Sequence, residues 1–239
     1  MRHVCAIGLA LVLSLGVARA EEPGTIDDLG SLLWLERTGG ALDRKEAFRF
    51  VTRALGPLVR AVWRRTHPGP IEKVDLAKLA PPDTPMVKAA VKLLEEKASP
   101  PFRNHAYRTA YWALVVMKRE RPELTPQEIE EAWVAALLHD LGLEDPPTHG
   151  EFTLGGVAAV RELAEANKWD KRSAARASEA ISLNPNGHVD RETYGLLAWA
   201  MNVGGYAEVS LGPYRVLMHP ETLKELEQKH PRDGFYEAA

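Results

Sequence analysis

Beyond the first twenty residues, apolar positions recur at helical spacing. Leu29, Leu32 and Leu33 mark one amphipathic stretch (28–37). Phe48, Val51, Leu55, Leu58, Val59 and Val62 mark a second (45–65), and Gly39-Gly40 separates the two. Breaker clusters follow at 66–70 and at Pro81-Pro82. From residue 84 the helix signals sharpen. Asp83 or Thr84 can cap a helix with Pro85 in its first turn, and Val87, Val91 and Leu94 follow on one face. Ser99-Pro100-Pro101 opens the next helix, which runs through His105, Tyr111 and Val115 towards Lys118-Arg119. Thr125-Pro126-Gln127-Glu128 is a capping box with Pro at the first helical position; it launches the stretch that Gly142 is expected to stop. Further helices are expected over 152–166, 172–183, 191–203 and 221–229, whereas the nearest approach to a strand, 209–216, is broken by Gly212-Pro213. The expected fold class is all-α, one helical bundle over 84–239 preceded by a helical extension and linker over 21–83.

The first twenty residues carry a different pattern. Arg2 and His3 precede an apolar run from Ala6 to Val17, and Ala18-Arg19-Ala20 offers small residues where a signal peptidase reads. The run is short for a bilayer span, which takes about 20 residues. Residues 1–20 therefore read as a cleaved signal peptide, with a mature chain starting at Glu21, exported and without stable membrane insertion. Cleavage would remove Cys5, the chain's one cysteine, and with it any disulfide or thiol chemistry.

Composition narrows the function classes. A chain that is 45% hydrophobic and 26% charged has the makeup of a globular domain. Its 30 Lys+Arg against 33 Asp+Glu leave no basic excess for holding nucleic acid, so no nucleic-acid partner is expected.

The candidate chemistry centres on His139-Asp140, the only ionisable pair between Ala132 and Leu143. A helix this apolar is buried on most of its circumference. Burying even a neutral polar group unpaired costs about 2–7 kcal/mol, so the pair needs compensation. A metal ion would supply it for both residues; a hydrogen-bonded His–Asp pair between helices would also serve. His105 lies on a separate helix in PPFRNHAYRTAYWALVV, with Arg108 three residues on and on the same face.

The order His…His-Asp on successive helices resembles the HD-domain superfamily of metal-dependent hydrolases, most nearly its cyanamide hydratase-like branch. NHAYRTAYWAL (104–114) is similar to that branch's entry helix, LLHDLGLED (137–145) to its dyad motif, EFTLGGVAAVREL (151–163) to the helix that follows, and HPETLKELEQKHPRDGF (219–235) to its closing stretch. The resemblance covers roughly residues 80–236. It implies a divalent metal ion, zinc in this branch, held by His105, His139 and Asp140, and a small-molecule substrate attacked by a metal-activated water. It also implies Asp145 as the residue assisting that water, with Glu144 competing for the role. Arg108 would hold an anionic group or brace Asp140.

The chain departs from the family in two places. The family's later ligand Asp stands in an Asp-Asn-Val-Gly-like element, and this chain reads Met201-Asn202-Val203-Gly204 with no Asp anywhere over 191–232. Asn184 replaces a frequent His. Asn202, His149 and His188 are possible substitutes as ligands. The expectation is thus an exported HD-type hydrolase or hydratase acting on a small molecule. Its competitors are an HD-fold binding protein with an incomplete metal site and a nucleotide phosphohydrolase.

Overall fold

The computed structural model describes residues 22–67, 69–147, 150–209 and 216–238; the expected signal peptide and His149 lie outside them. Every regular element among the described residues is helical. In chain order these are α1 (Leu32–Thr38), α2 (Arg44–Thr66), a 3-10 turn (Leu76–Leu79), α3 (Pro85–Lys97), α4 (Pro100–Glu120), α5 (Pro126–Leu138), α6 (Leu141–Glu144), α7 (Thr153–Asn167), α8 (Lys171–Leu183), α9 (Arg191–Val209), α10 (Pro220–Lys229) and α11 (Phe235–Ala238). No described helix is long and apolar enough to cross a membrane.

The boundaries follow the capping chemistry. Thr84 caps α3 through the Val87 amide, and Thr125 and Glu128 form a reciprocal box at α5. A second box, Asp43 with Glu46, starts α2. The expected helix over 191–203 runs on to Val209, and Gly195 breaks its first turn with φ 82° and ψ 175°, a conformation that suits a residue without Cβ.

The core forms where α4 packs against α5 and α9, with α8 closing on those two helices. Ala110 to Met117 is buried all round, and Trp112, Trp133, Leu114 and Leu137 fill the centre. Each such side chain contributes on the order of 1.5–3 kcal/mol relative to exposure. Trp133 satisfies its indole N–H on the Leu79 carbonyl at 3.0 Å, so the 3-10 turn of the expected linker belongs to the core. The start of the expected extension is also tied in. The buried Glu179 carboxylate on α8 accepts from the amides of Gly24 (2.8 Å) and Leu32 (3.1 Å), the latter an otherwise orphaned donor at the start of α1. Burial pushes the Glu179 carboxyl above its ordinary pKa, against the lowering effect of those two amides.

Gly142 does not end α5. That helix stops at Leu138, and Gly142 sits inside α6, where an added Cβ would fall 2.0 Å from the Phe152 carbonyl. Its role is close approach of α6 to the start of α7.

Candidate metal centre

Three helix ends build the site. His105 lies in the second turn of α4, which opens on paired prolines after Ser99. His139 is the C-cap of α5, and Asp140, with φ −105° and ψ 9°, turns the chain into α6. The pair therefore stands at the carboxyl end of a helix, where a cation is favoured. His105 and His139 are both 2% exposed and the Asp140 side chain is 16% exposed. Among the described residues they form the single cluster of three ligand-type side chains able to share one ion.

The hydrogen bonds fix which ring atoms face inward. His105 Nδ1 lies 2.8 Å from Glu208 Oε2, and His139 Nδ1 lies 2.8 Å from the Ala136 carbonyl. Both partners only accept, so both Nδ1 atoms carry hydrogen. The two Nε2 atoms are 3.2 Å apart, and Asp140 Oδ2 is 3.0 Å from that of His105 and 3.2 Å from that of His139. With neutral rings, three lone-pair acceptors converge on one point with no donor among them. Such a group repels itself until a positive charge lies between its members. Either a proton on His105 or a metal ion meets that need. The donor set fits a metal: two imidazole nitrogens and one carboxylate oxygen, each ring oriented from behind by an acceptor.

Electrostatics describe the proton-bearing alternative. Burial disfavours charge on His105, but its hydrogen bonds to Asp140 and Glu208 and their fields prevail and raise its pKa to about 9. Burial would raise Asp140, yet His139 and His105 overcome it and hold the carboxyl far below its usual range. Glu208 behaves alike: against burial, the hydrogen bond from His105 and the fields of His105, Arg108 and Arg232 lower it to about 2.

Glu208 was not expected from the sequence reading, although the signal was available. It is the only charged residue from Gly195 to Val209, the same reasoning that singled out the dyad. Its carboxylate is fully buried, accepts from His105, pairs closely with Arg108 Nε and lies 3.3 Å from Arg232 Nη1. Arg108 also donates to the carbonyls of His230 (3.0 Å) and Pro231 (2.6 Å). Arg108 thus braces Glu208, not Asp140, and being 0% exposed it is shut off from any ligand.

Asp145 is not brought to the cluster either. The turn of α6 carries it to the surface, where its side chain is 67% exposed and takes Lys97 Nζ at 2.9 Å. Glu144 caps the Ser99 amide at the start of α4. Of the possible substitute ligands, Asn202 is buried with its amide N–H groups donated to the carbonyls of Asn184 (2.9 Å) and Asn186 (2.6 Å), and His188 is not in the cluster.

Met201 stands away from the cluster. An added Cβ on Gly204 would meet the backbone of Trp112 and Ala113, while Glu208 meets Arg108 and His105, so α9 runs antiparallel to α4. Met201 therefore lies a further turn away, fully buried. At the level of the trio α9 presents Gly205, Tyr206 and Val209. They line a pocket of about 330 Å³ with the trio, Phe102, Leu143, Phe152, Asn184, Pro185 and Phe235. Phe235 stacks on His105 with centroids 4.5 Å apart, so the closing stretch of the chain forms one wall.

Compared with models of known protein families and with curated proteins, the chain matches none.

Proposed function

We propose that the protein is a metal-dependent hydrolase or hydratase of the HD type, acting on a small uncharged molecule. The observation that carries this reading is the convergence of His105 Nε2, His139 Nε2 and Asp140 Oδ2 within 3.0–3.2 Å, with both Nδ1–H groups spent elsewhere. These three residues would hold the ion. When bound there, a divalent cation supplies Lewis acidity, which brings the pKa of a coordinated water to about 7 in the best-known zinc sites.

The residues of the chain do the remaining work. Glu208 keeps the His105 proton on Nδ1, and the Ala136 carbonyl does so for His139, so both lone pairs point into the pocket. Phe102, Phe152 and Phe235 exclude water around a bound substrate. Asn184 is the polar side chain in that wall outside the trio and Tyr206; its amide donates to the Met201 carbonyl at 3.0 Å, which leaves its side-chain oxygen available to a substrate N–H. No described residue lining the pocket is Lys or Arg, which favours a nitrile- or amide-like substrate over a phosphate ester.

The test is calorimetric titration of chelator-treated full chain with Zn²⁺, beside His139→Ala, followed by hydrolysis assays on small nitriles, amides and phosphate monoesters. One ion bound per chain, lost in His139→Ala, with turnover of the uncharged substrates, is expected. A folded wild type that takes up no divalent ion would overturn the reading in favour of a His105–Asp140 ion pair in a binding protein. Turnover confined to phosphate esters would shift it to phosphohydrolysis.

A further inference from the structure

The helix α2 carries six large apolar side chains on its outer side. Phe50 packs on the small cluster of Leu29, Trp34 and Leu35, and Ala54 abuts Gly187, so this side of the helix faces the body. The opposite side presents Phe48, Val51, Leu55, Val59, Val62 and Trp63, which are 53–70% exposed. At 100° per residue these six fall in a sector of about 120°. The stripe is continuous over a helix of about 35 Å, estimated from its 23 residues, with Phe48 near one end and Trp63 near the other.

The charge of the helix identifies what would cover that stripe. The α2 sequence holds seven basic residues and one acid, a net +6, whereas the whole chain is −3, which leaves −9 on everything else. In register, Lys45, Arg49 and Arg53 border the apolar sector on one side. Arg49 and Arg53 reach Asp28 at 3.2 and 2.9 Å and still keep 49% and 34% of their side-chain surface. Two copies joined through α2 would set +6 against +6 across the stripe. A head-to-tail contact with the acidic remainder of another copy would leave each α2 seeking the next, which builds a ring or an open chain instead of a closed pair. A planar anionic surface with an apolar layer beneath it satisfies both the stripe and its basic border, because the long basic side chains can lie along the layer and keep their heads in the charged zone.

We propose that α2 is an in-plane anchor that docks the protein on an anionic phospholipid bilayer. The Phe48–Trp63 stripe would enter the head-group boundary, and the basic side chains of the same helix would pair with lipid phosphates.

Co-sedimentation of the full chain with vesicles decides it, using phosphatidylcholine alone and phosphatidylcholine with about one third phosphatidylglycerol, at low and high salt. The variant is Leu55→Asp/Val59→Asp, and residues 1–20 are common to both chains, so any contribution they make cancels. The wild type should bind the anionic vesicles, with partitioning falling about tenfold or more on neutral vesicles or at high salt. The variant should lose about as much while its melting temperature stays unchanged, since both positions are exposed. Equal partitioning of wild type and folded variant, or no wild-type binding to anionic vesicles, would overturn the proposal. A wild type that elutes as an oligomer and a variant that elutes as a monomer would assign the stripe to a second copy instead.

Discussion

Substituting Glu208 by Gln tests the heart of the site. The carboxylate has two buried donors, Arg108 Nε–H and His105 Nδ1–H, one on each oxygen. Gln offers one oxygen and one NH₂, so whichever way it turns, an NH₂ confronts one of the two donors. Arg108 is 0% exposed and would lose its counter-charge without access to water. Breaking a buried pair by removing one partner costs about 3–5 kcal/mol. For a chain of this size each kcal/mol lowers the melting temperature by about 2–4 °C, so Glu208→Gln should melt about 6–20 °C below wild type. Adding Arg108→Met removes the fully buried stranded charge and lets the Gln carbonyl turn to His105, but it also gives up the His230 and Pro231 carbonyl contacts, so the double variant should recover part of that loss. Affinity for the ion should not recover. His105 would hydrogen-bond a neutral amide in both variants, and losing such a partner weakens metal binding by about 10–100-fold. Scanning calorimetry and Zn²⁺ titration of the three proteins read the two effects separately. A single variant melting within about 2 °C of wild type, or a double variant no more stable than the single, would refute the coupling. So would an unchanged Zn²⁺ affinity in a folded double variant.

Two further outcomes follow from the same geometry. In chelator, His105 has a folded pKa of about 9 against an ordinary 6.5, so its stabilisation is complete below pH 6.5 and lost as pH rises through about 9. Melting curves in chelator should therefore fall across that window, while Zn²⁺ affinity rises across it because the ion must displace the His105 proton; a flat profile in chelator would contradict the charged ring. Asp145→Asn should leave both melting temperature and Zn²⁺ affinity unchanged, since its carboxylate meets Lys97 at the surface, and a loss of affinity would restore it to the site.

Capping chemistry made much of the fold legible. Thr84 and Thr125 each stand where the sequence predicts a helix start, because a cap is a local device whose side chain and target amide lie within three residues, and Pro100-Pro101 mark the start of α4 in the same local way. The trio was legible for another reason: a charged pair in an apolar run needs a partner wherever the run is buried. What partners it was not legible, since Glu208 lies 103 residues from His105 in the chain and only the antiparallel packing of α9 on α4 joins them. The same limit displaced Met201, whose place in a motif-like segment says nothing of its level along α4. In α2 the periodicity is real, but it defines a stripe without saying which way the stripe faces. Phe48 and Val59 meet all the requirements of core positions in sequence and are 70% and 68% exposed in the structure.

The line of charges from Arg232 and Arg108 through Glu208 to His105 is a poor device for stability alone. A buried ion pair seldom outperforms apolar residues of the same volume, because desolvating both partners offsets most of their attraction. Orientation is what such a line supplies. Without Glu208 the His105 ring could protonate at either nitrogen; with it, Nε2 is left to face His139 and Asp140. The same guanidinium grips the carbonyls of His230 and Pro231, which sets the segment that delivers Phe235 onto the His105 ring. One buried arginine therefore fixes both the direction of the His105 Nε2 and the wall above it. Each apolar replacement would fill the volume, and none would do either. The retained charge is thus explained by the site, and the site in turn requires a cation that the chain does not itself provide unless His105 takes up a proton.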